Sequence, residues 1–231
     1  MNKKIFNYYS KLATQNLSLT EISGRYSFQK KNEISIASDI LRKINISKKD
    51  ELLEIGSGPG NIAIRLFKYC KSYTAIDNKN SIKLLKNKNI NIKTIIADFF
   101  KFKSKKKYDK IIIYSVLHCL TNIKDVYKFL NKAIKLTKPN GIIFIGDIPN
   151  NDKKKRFLQT KSGKQFELNW NKIKKNTGTL LKFKTINFND KKIIEIITYL
   201  RKKGHESYIL EQDETLPFSR SREDIIIKIN E

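Results

Sequence analysis

Residues 51–66, ELLEIGSGPGNIAIRL, constrain the fold of this chain more than any other stretch. Leu52, Leu53 and Ile55 form an apolar run that reads as a buried strand, and Gly56, Gly58 and Gly60 follow at alternate positions. Ile62, Ile64, Leu66 and Phe67 then read as the opening of an amphipathic helix. Strand, glycine bend and helix make the first crossover of an open parallel sheet, and such sheets bind nucleotides beyond the carboxyl ends of their strands. Glycine suits the bend because a Cβ would resist its backbone angles and keep a ligand from the main chain. N–H groups at the helix start have no partner within the helix and can bond that ligand.

Spacing narrows the ligand. A phosphate-cradling P-loop needs four residues between its glycines and then Lys-Ser/Thr, a pattern this stretch lacks. The dinucleotide fingerprint places its third glycine where this chain has Asn61, with Gly60 one position early. Glu54, just before the bend, would repel a pyrophosphate and suits a ligand with a cationic amino-acid end. Glu54-Ile55-Gly56-Ser57-Gly58-Pro59-Gly60 resembles the first motif of class I S-adenosylmethionine (SAM) dependent methyltransferases, E/D-x-G-x-G-x-G, at every defined position. The bland alternative is a glycine-rich turn in an unrelated α/β protein. The resemblance implies a three-layer α/β/α sandwich around a seven-stranded, mostly parallel sheet in the order 3-2-1-4-5-7-6, with strand 7 antiparallel. It also implies SAM as methyl donor, S-adenosylhomocysteine (SAH) as product, no metal, and Glu54, Gly56, Ser57, Gly58, Gly60 and Asn61 around the cofactor.

Three further strand ends carry the resemblance onward. SYTAID (72–77) reads as the second strand and ends on Asp77, seventeen positions after Gly60. A carboxylate there can accept from both vicinal hydroxyls of a ribose, with Asn78 beside it; a helix-capping aspartate is the alternative. NIKTIIADFF reads as the third strand, and the resemblance implies that Asp98 contacts the adenine amino group while Phe99 covers the ring. YDKIIIYSVLHCL (108–120) reads as the fourth; Tyr114-Ser115-Val116-Leu117-His118 resemble the family's motif IV region, which implies that Tyr114 and Ser115 border the methionine part. No Asn/Asp-Pro-Pro-Tyr/Phe follows this strand, which argues against methylation of adenine's exocyclic amine. No Pro-Cys or Thr-Cys nucleophile is present, which argues against cytosine C5 chemistry.

The 231 residues are expected to form one domain, with a helical cap over 1–50 and a lid-like insertion over 149–190. KIFNYYSKLAT and SFQKKNEISIASDILRKI read as the cap helices. In many class I methyltransferases this segment folds over the SAM pocket, so the resemblance offers Arg25 and Tyr26 a cofactor or substrate contact; a solvated arginine and a packing tyrosine are the alternatives. NIKDVYKFLNKAIKLTKPNG reads as a helix closed by Pro139-Asn140-Gly141, GIIFIGDIP as the fifth strand, KKIIEIITYLRKKG as the next helix, and SYILEQ and DIIIKI as the last strands. The long connection from Pro149 to Asp190 is expected to hold one or two helices and an extended piece, TLLKFKTINF. It serves as a lid over an acceptor site, or as a cover for the sheet edge, with Trp170 as a packing anchor.

Charge and cysteines bound the partners. The formal charge of +26 invites a nucleic acid, yet 41 of the 48 basic residues are Lys and only 7 are Arg. Ile (36) and Asn (22) are in excess too, so A/T-rich coding explains the balance without a polyanion, although acidic or phosphorylated partners are attracted at low salt. No apolar run is long enough for a membrane span, and no h-region follows the first lysines. Cys70 and Cys119 have neither the number nor the spacing for a disulfide framework or zinc site, which fits a reducing cytoplasm.

Methyl transfer needs little machinery, because the sulfonium methyl is already activated and positioning the acceptor supplies much of the rate. A hydroxyl or amine acceptor must still lose a proton. His118 is the candidate base, with Tyr114 and Asp147 at the crevice, and Arg220 and Arg222 are placed to grip a carboxylate or phosphate. The expected activity is methyl transfer to an O or N atom of a small molecule. GDIPN and the LPFSRSREDIII tail resemble bacterial methyltransferases found with surface-glycan biosynthesis genes, which implies a sugar or sugar nucleotide. An RNA or protein methyltransferase and a non-catalytic SAM-binding domain are the alternatives.

Overall fold

The computed structural model describes residues 3–175 and 183–230. Strands β1 (Glu51–Ile55), β2 (Ser72–Asp77), β3 (Lys93–Ile96), β4 (Tyr108–Tyr114), β5 (Thr137–Pro149), β6 (Glu206–Leu210) and β7 (Arg222–Lys228) form one sheet in the order β3-β2-β1-β4-β5-β7-β6. Strands β1 to β5 pair in parallel, and β7 runs antiparallel between β5 and β6. This is the expected class I methyltransferase fold.

Side chains alternate across the sheet, and the two faces bury different helices. Ile111, Ile113, Ile143 and Ile145 pack against α6 (Ile123–Lys135) and α9 (Asp190–Lys202). Leu52, Ala75, Ile112 and Phe144 face the other way, onto α3 (Asn32–Ile44), α4 (Ala63–Leu66) and α5 (Lys79–Lys86). The asparagine excess is put to structural use. Asn78, Asn122 and Asn189 each accept a backbone N–H at the start of α5, α6 and α9, and Asn150 accepts two at the start of α7 (Asn151–Gln159).

Several boundaries depart from the sequence reading. The helix after the glycine bend lasts one turn as α4 and tightens into a 3-10 turn over Phe67–Tyr69. Pro139-Asn140-Gly141 do not close α6, which ends at Lys135 with Leu136 as its cap; they lie in the first part of β5, where Thr137 already pairs with Tyr108 of β4. The cap segment holds α1 (Lys3–Leu12) and α3, and the expected second helix begins as a 3-10 turn over Ser27–Lys31. The segment also holds a short helix, α2 (Leu19–Ile22), whose Ser18 and Glu21 cap each other reciprocally. The insertion supplies α7 and α8 (Lys161–Lys175). Part of the extended piece expected there, 179–182, lies outside the described residues, while Ile186 and Phe188 of its remainder are buried against the sheet.

One buried polar cluster links the cap to the sheet. Lys43 of α3 donates to Asp39 and to Asp224 of β7, both at 2.6 Å; Lys43 keeps 11% of its side-chain surface and Asp224 keeps none. Asp224 also accepts the Asp147 N–H at 2.9 Å and the Gln212 amide at 2.9 Å. Between Ile145 and Ile148 the β5–β7 register slips, and Asp147 takes a φ of +62°. The bulge re-aims Asp147, and Asp224 holds the re-aimed backbone in place.

Lys43→Met leaves the buried Asp224 without its cation, and Asp39 with Arg42 alone, and is expected to cost about 3–5 kcal/mol in chemical denaturation. Asp224→Asn in the same chain should restore part of the loss. A Lys43→Met protein as stable as the parent would mean that the cluster contributes nothing net.

Candidate active site

A cavity of about 650 Å³ opens at the carboxyl ends of β1, β2, β4 and β5, beneath the cap on one side and α7 and α8 on the other. Its first half is built on the glycine bend. Gly56 and Gly58 have φ of +78° and +55°, and a Cβ on Gly56 would lie 2.4 Å from a Val116 methyl. Gly60 (φ +95°) packs against Leu85 and lies outside the cavity lining.

Asp77 ends β2 across from this bend. Its carboxylate accepts the Gly58 N–H at 2.6 Å and, through the other oxygen, the Asn78 backbone N–H at 2.6 Å and side-chain amide at 2.7 Å. Capping of α5 falls to Asn78, so Asp77 is not the cap. A carboxylate has about four lone-pair sites, so Asp77 keeps acceptor capacity inside the cavity. Glu54 is buried and accepts from the Tyr73 hydroxyl at 2.9 Å. Burial above all, with Asp77 nearby, pushes the Glu54 carboxyl up to about 8, and burial raises Asp77 as well.

Asn61 lines this half but its amide is committed. It accepts from the Ser23 hydroxyl at 2.8 Å and donates to Glu33, which also takes Thr20 at 2.6 Å and Arg65 at 2.7 Å. These bonds tie α2 and α3 to the glycine bend. Tyr9 of α1 also lines the cavity, with its hydroxyl against Gly24. Sequence reading missed Tyr9, Ser23 and Glu33; Ser18-Leu19-Thr20-Glu21, a capping-box pattern, signalled the α2 start that positions Ser23. Asp98 and Phe99 lie outside the cavity lining. Asp98 accepts the Phe100 N–H at 3.0 Å, and Phe99 packs on Phe129 with ring centroids 4.6 Å apart.

The second half is built where β4 and β5 end. Ser115 (φ +58°) and Asp147 (φ +62°) both hold left-handed backbones, and the Ser115 hydroxyl donates to the Asp147 carboxylate. Strained residues of this kind persist only where the surroundings over-determine them. Arg25 donates to the Ser115 hydroxyl at 3.3 Å and lies over the Tyr114 ring, 5.5 Å from its centroid. Arg222 approaches the Asp147 carboxylate at 3.5 Å. Burial opposes the Asp147 charge, but Arg222 and Arg25 hold its carboxyl below the ordinary value. His118 also lines the cavity; desolvation, then Arg222, pushes its imidazole down to about 4, so it is neutral at physiological pH. Tyr114 and Cys119 are raised by burial and stay protonated.

Aromatic rings roof this half. Trp170 of α8 meets Tyr26 of the cap and Phe218 of the β6–β7 connection edge-on, each at 5.1 Å, and lies parallel to Phe166 at 6.1 Å. Arg220 stands over Phe157 at 5.7 Å and Arg222 over Phe218 at 5.6 Å. The insertion thus meets the cap above the β4 and β5 ends. Among the described residues no group of three or more His, Cys, Asp or Glu side chains is placed to hold a metal ion, and no helix is long and apolar enough to cross a membrane.

Residues 21–158 match the sequence profile of the family described as ribosomal RNA adenine dimethylase. A ubiquinone biosynthesis O-methyltransferase of Rickettsia canadensis is 29% identical over 153 residues, which cover 64% of this chain and 62% of that protein. The chain therefore spans about three fifths of that relative's length. Ribosomal RNA small subunit methyltransferase A of Wigglesworthia glossinidia brevipalpis is 33% identical over 116 residues, covering 47% of this chain and 44% of that protein. The N-methyltransferase NodS of Bradyrhizobium japonicum, solved with SAH, shares the fold with a TM-score of 0.65 at 13% identity, over 98% of each chain.

The His118 environment predicts an acid-sensitive stability. An unfolded histidine titrates near ~6.5, so a folded value of about 4 stabilises the chain fully above ~6.5 and progressively less as pH falls towards 4. His118→Gln should flatten the decline of Tm between those pH values. An identical acid limb in both proteins would show that His118 does not sit in the desolvated, cation-flanked environment described.

Proposed function

We propose, for a chain that belongs to the ribosomal RNA adenine dimethylase family of SAM-dependent methyltransferases, transfer of a methyl group from SAM to an O or N atom of a small molecule. The observation that carries this reading is Asp77. Its carboxylate is pinned by the Gly58 N–H at the tip of the bend, with acceptor capacity left in a cavity that continues to Ser115 and Asp147. The donor set suits SAM: Asp77 for the ribose hydroxyls, Glu54 for a cationic amino-acid end, and Gly56 and Gly58 for close approach of the main chain.

When bound, SAM supplies an activated sulfonium methyl; the S–CH3 bond breaks as the C–O or C–N bond forms, and a thioether remains. The chain's own part is positioning. Ser115 and Asp147, fixed by Arg25, Arg222 and Asp224, orient the acceptor, and the roof excludes water. Neutral His118 can take the acceptor's proton. Its low basicity fits a proton released as the methyl arrives, when the acceptor is most acidic.

The small-molecule reading draws on the Rickettsia relative's name and on the roofed second half of the cavity. A sugar or sugar nucleotide is the finer reading, supported by the tail's likeness to surface-glycan methyltransferases. The family's description and the Wigglesworthia relative favour an RNA acceptor instead. Against it stands the end of β4, where Tyr114-Ser115-Val116-Leu117 replaces the Asn/Asp-Pro-Pro-Tyr/Phe of exocyclic-amine chemistry.

Calorimetry with SAH should show saturable binding, and Asp77→Ala should weaken it by about 1.5–3 kcal/mol. Unchanged affinity removes the ribose role, and no binding by the parent protein removes the methyltransferase reading. Glu54 gives a second test. With its carboxyl at about 8 in the free protein, a cationic ligand favours the ionised form, so binding releases a proton and affinity rises with pH up to that value. The binding enthalpy near neutral pH should differ between Tris and phosphate buffers, and Glu54→Gln should abolish the difference; a buffer-independent enthalpy in the parent protein assigns Glu54 no part.

A further inference from the structure

We infer that the acceptor is a small anion, a phosphate or carboxylate joined to a planar apolar body, seated between Trp170 and a cationic rim made of Arg25, Arg220 and Lys154. The inference rests on the methyltransferase reading and names the substrate class of that same cavity.

Arginine usage is the first support. The chain has 7 arginines against 41 lysines, yet three of the arginines (Arg25, Arg220, Arg222) line the cavity. Among the described residues Lys154 is its one lysine. A composition that elsewhere favours lysine so heavily has kept the planar, five-donor fork at this place. That fork matches a phosphate or carboxylate in two parallel bonds, which an ammonium cannot do.

Pairing is the second. Arg42, Arg65 and Arg156 each meet a carboxylate, and Arg201 donates to the Ser207 carbonyl. Within the cavity Arg222 answers Asp147. Arg25 bonds only the Ser115 hydroxyl, Arg220 lies over Phe157, and Lys154 has no acidic partner; among the described residues none of the three forms an ion pair. Glu214 is the other acidic lining residue of this half; it is exposed, as are Arg220 and Lys154. The second half of the cavity therefore keeps a positive excess with donors free. Arg25, half-buried over the Tyr114 ring, gains more from an arriving anion than it would in open solvent, and the exposed Arg220 and Lys154 add donors at the rim.

The rings supply the rest of the specificity. Tyr26, Trp170 and Phe218 pack on one another edge-on and all line the cavity, so a planar apolar body meets a continuous aromatic wall there. Trp170 touches both the cap and the β6–β7 connection, so the cavity is walled on these sides at the scale of a small ligand.

Trp170 is the chain's single tryptophan, so its fluorescence reports occupancy directly. With SAH-saturated full-length protein, benzoate and phenyl phosphate are titrated against benzamide, the neutral planar control. Both anions, or one of them, should quench at concentrations on the order of tenfold below benzamide, and the stronger of the two names the carboxylate or phosphate source. Arg220→Gln with Lys154→Gln should bring the anions down to the benzamide level without changing SAH affinity. Equal affinity for benzamide, no quenching by either anion, or anion binding unaltered in the double variant overturns the proposal. So does a single-stranded RNA oligonucleotide that binds more tightly than phenyl phosphate and takes up methyl. SAH affinity, measured by calorimetry in the same preparations, separates these failures from failure of the methyltransferase reading itself.

Discussion

The arrangement of this protein depends on β1 having parallel partners on both sides whose crossovers leave in opposite directions. The connections from β1 to β2 and from β2 to β3 place α4 and α5 on one face, while those from β4 to β5 and from β5 to β6 place α6 and α9 on the other. The chain segments leaving β1 and β4 therefore diverge, and a crevice opens between them at the carboxyl ends of the strands. The floor of the cavity is hung on that divergence: the glycine bend after β1, Asp77 at the end of β2, Ser115 after β4 and Asp147 on the bulged end of β5.

The crevice alone would be shallow. Depth comes from segments that precede and interrupt the sheet. The cap is bound to the glycine bend by Ser23, Asn61, Glu33 and Arg65. It is bound to β7 by Lys43 and Asp224. The insertion then meets the cap through aromatic contacts at Trp170. Polar bonds anchor the cap to the sheet, and rings join the cap to the insertion.

How much of this was legible in the sequence follows from the range of each interaction. The bend and Asp77 could be read because a strand, a turn and a strand end lie within thirty residues and their spacing is set by local geometry. Strand order came from a family resemblance, since alternation of strands and helices does not by itself choose among topologies. Pro139-Asn140-Gly141 looked like a helix stop because the local turn chemistry is that of a stop; the pairing of Thr137 with Tyr108, a tertiary fact, pulled the segment into β5. Asn61 was read as a ligand contact, and nothing near it in sequence announces Ser23 or Glu33. Phe99 turned to the core for a similar reason, because Phe129 lies thirty residues away on α6.

The left-handed backbones of Ser115 and Asp147 carry a consequence for how such a chain can change. Each position tolerates few side chains, since β-branched and bulky residues resist a positive φ. The two residues are also bonded to each other, so replacing one disturbs the other. The walls contributed by α7 and α8 are ordinary helix, where most substitutions leave the main chain undisturbed. Drift towards a new ligand therefore has its open route through the insertion, while the floor of the chamber is inherited nearly unchanged.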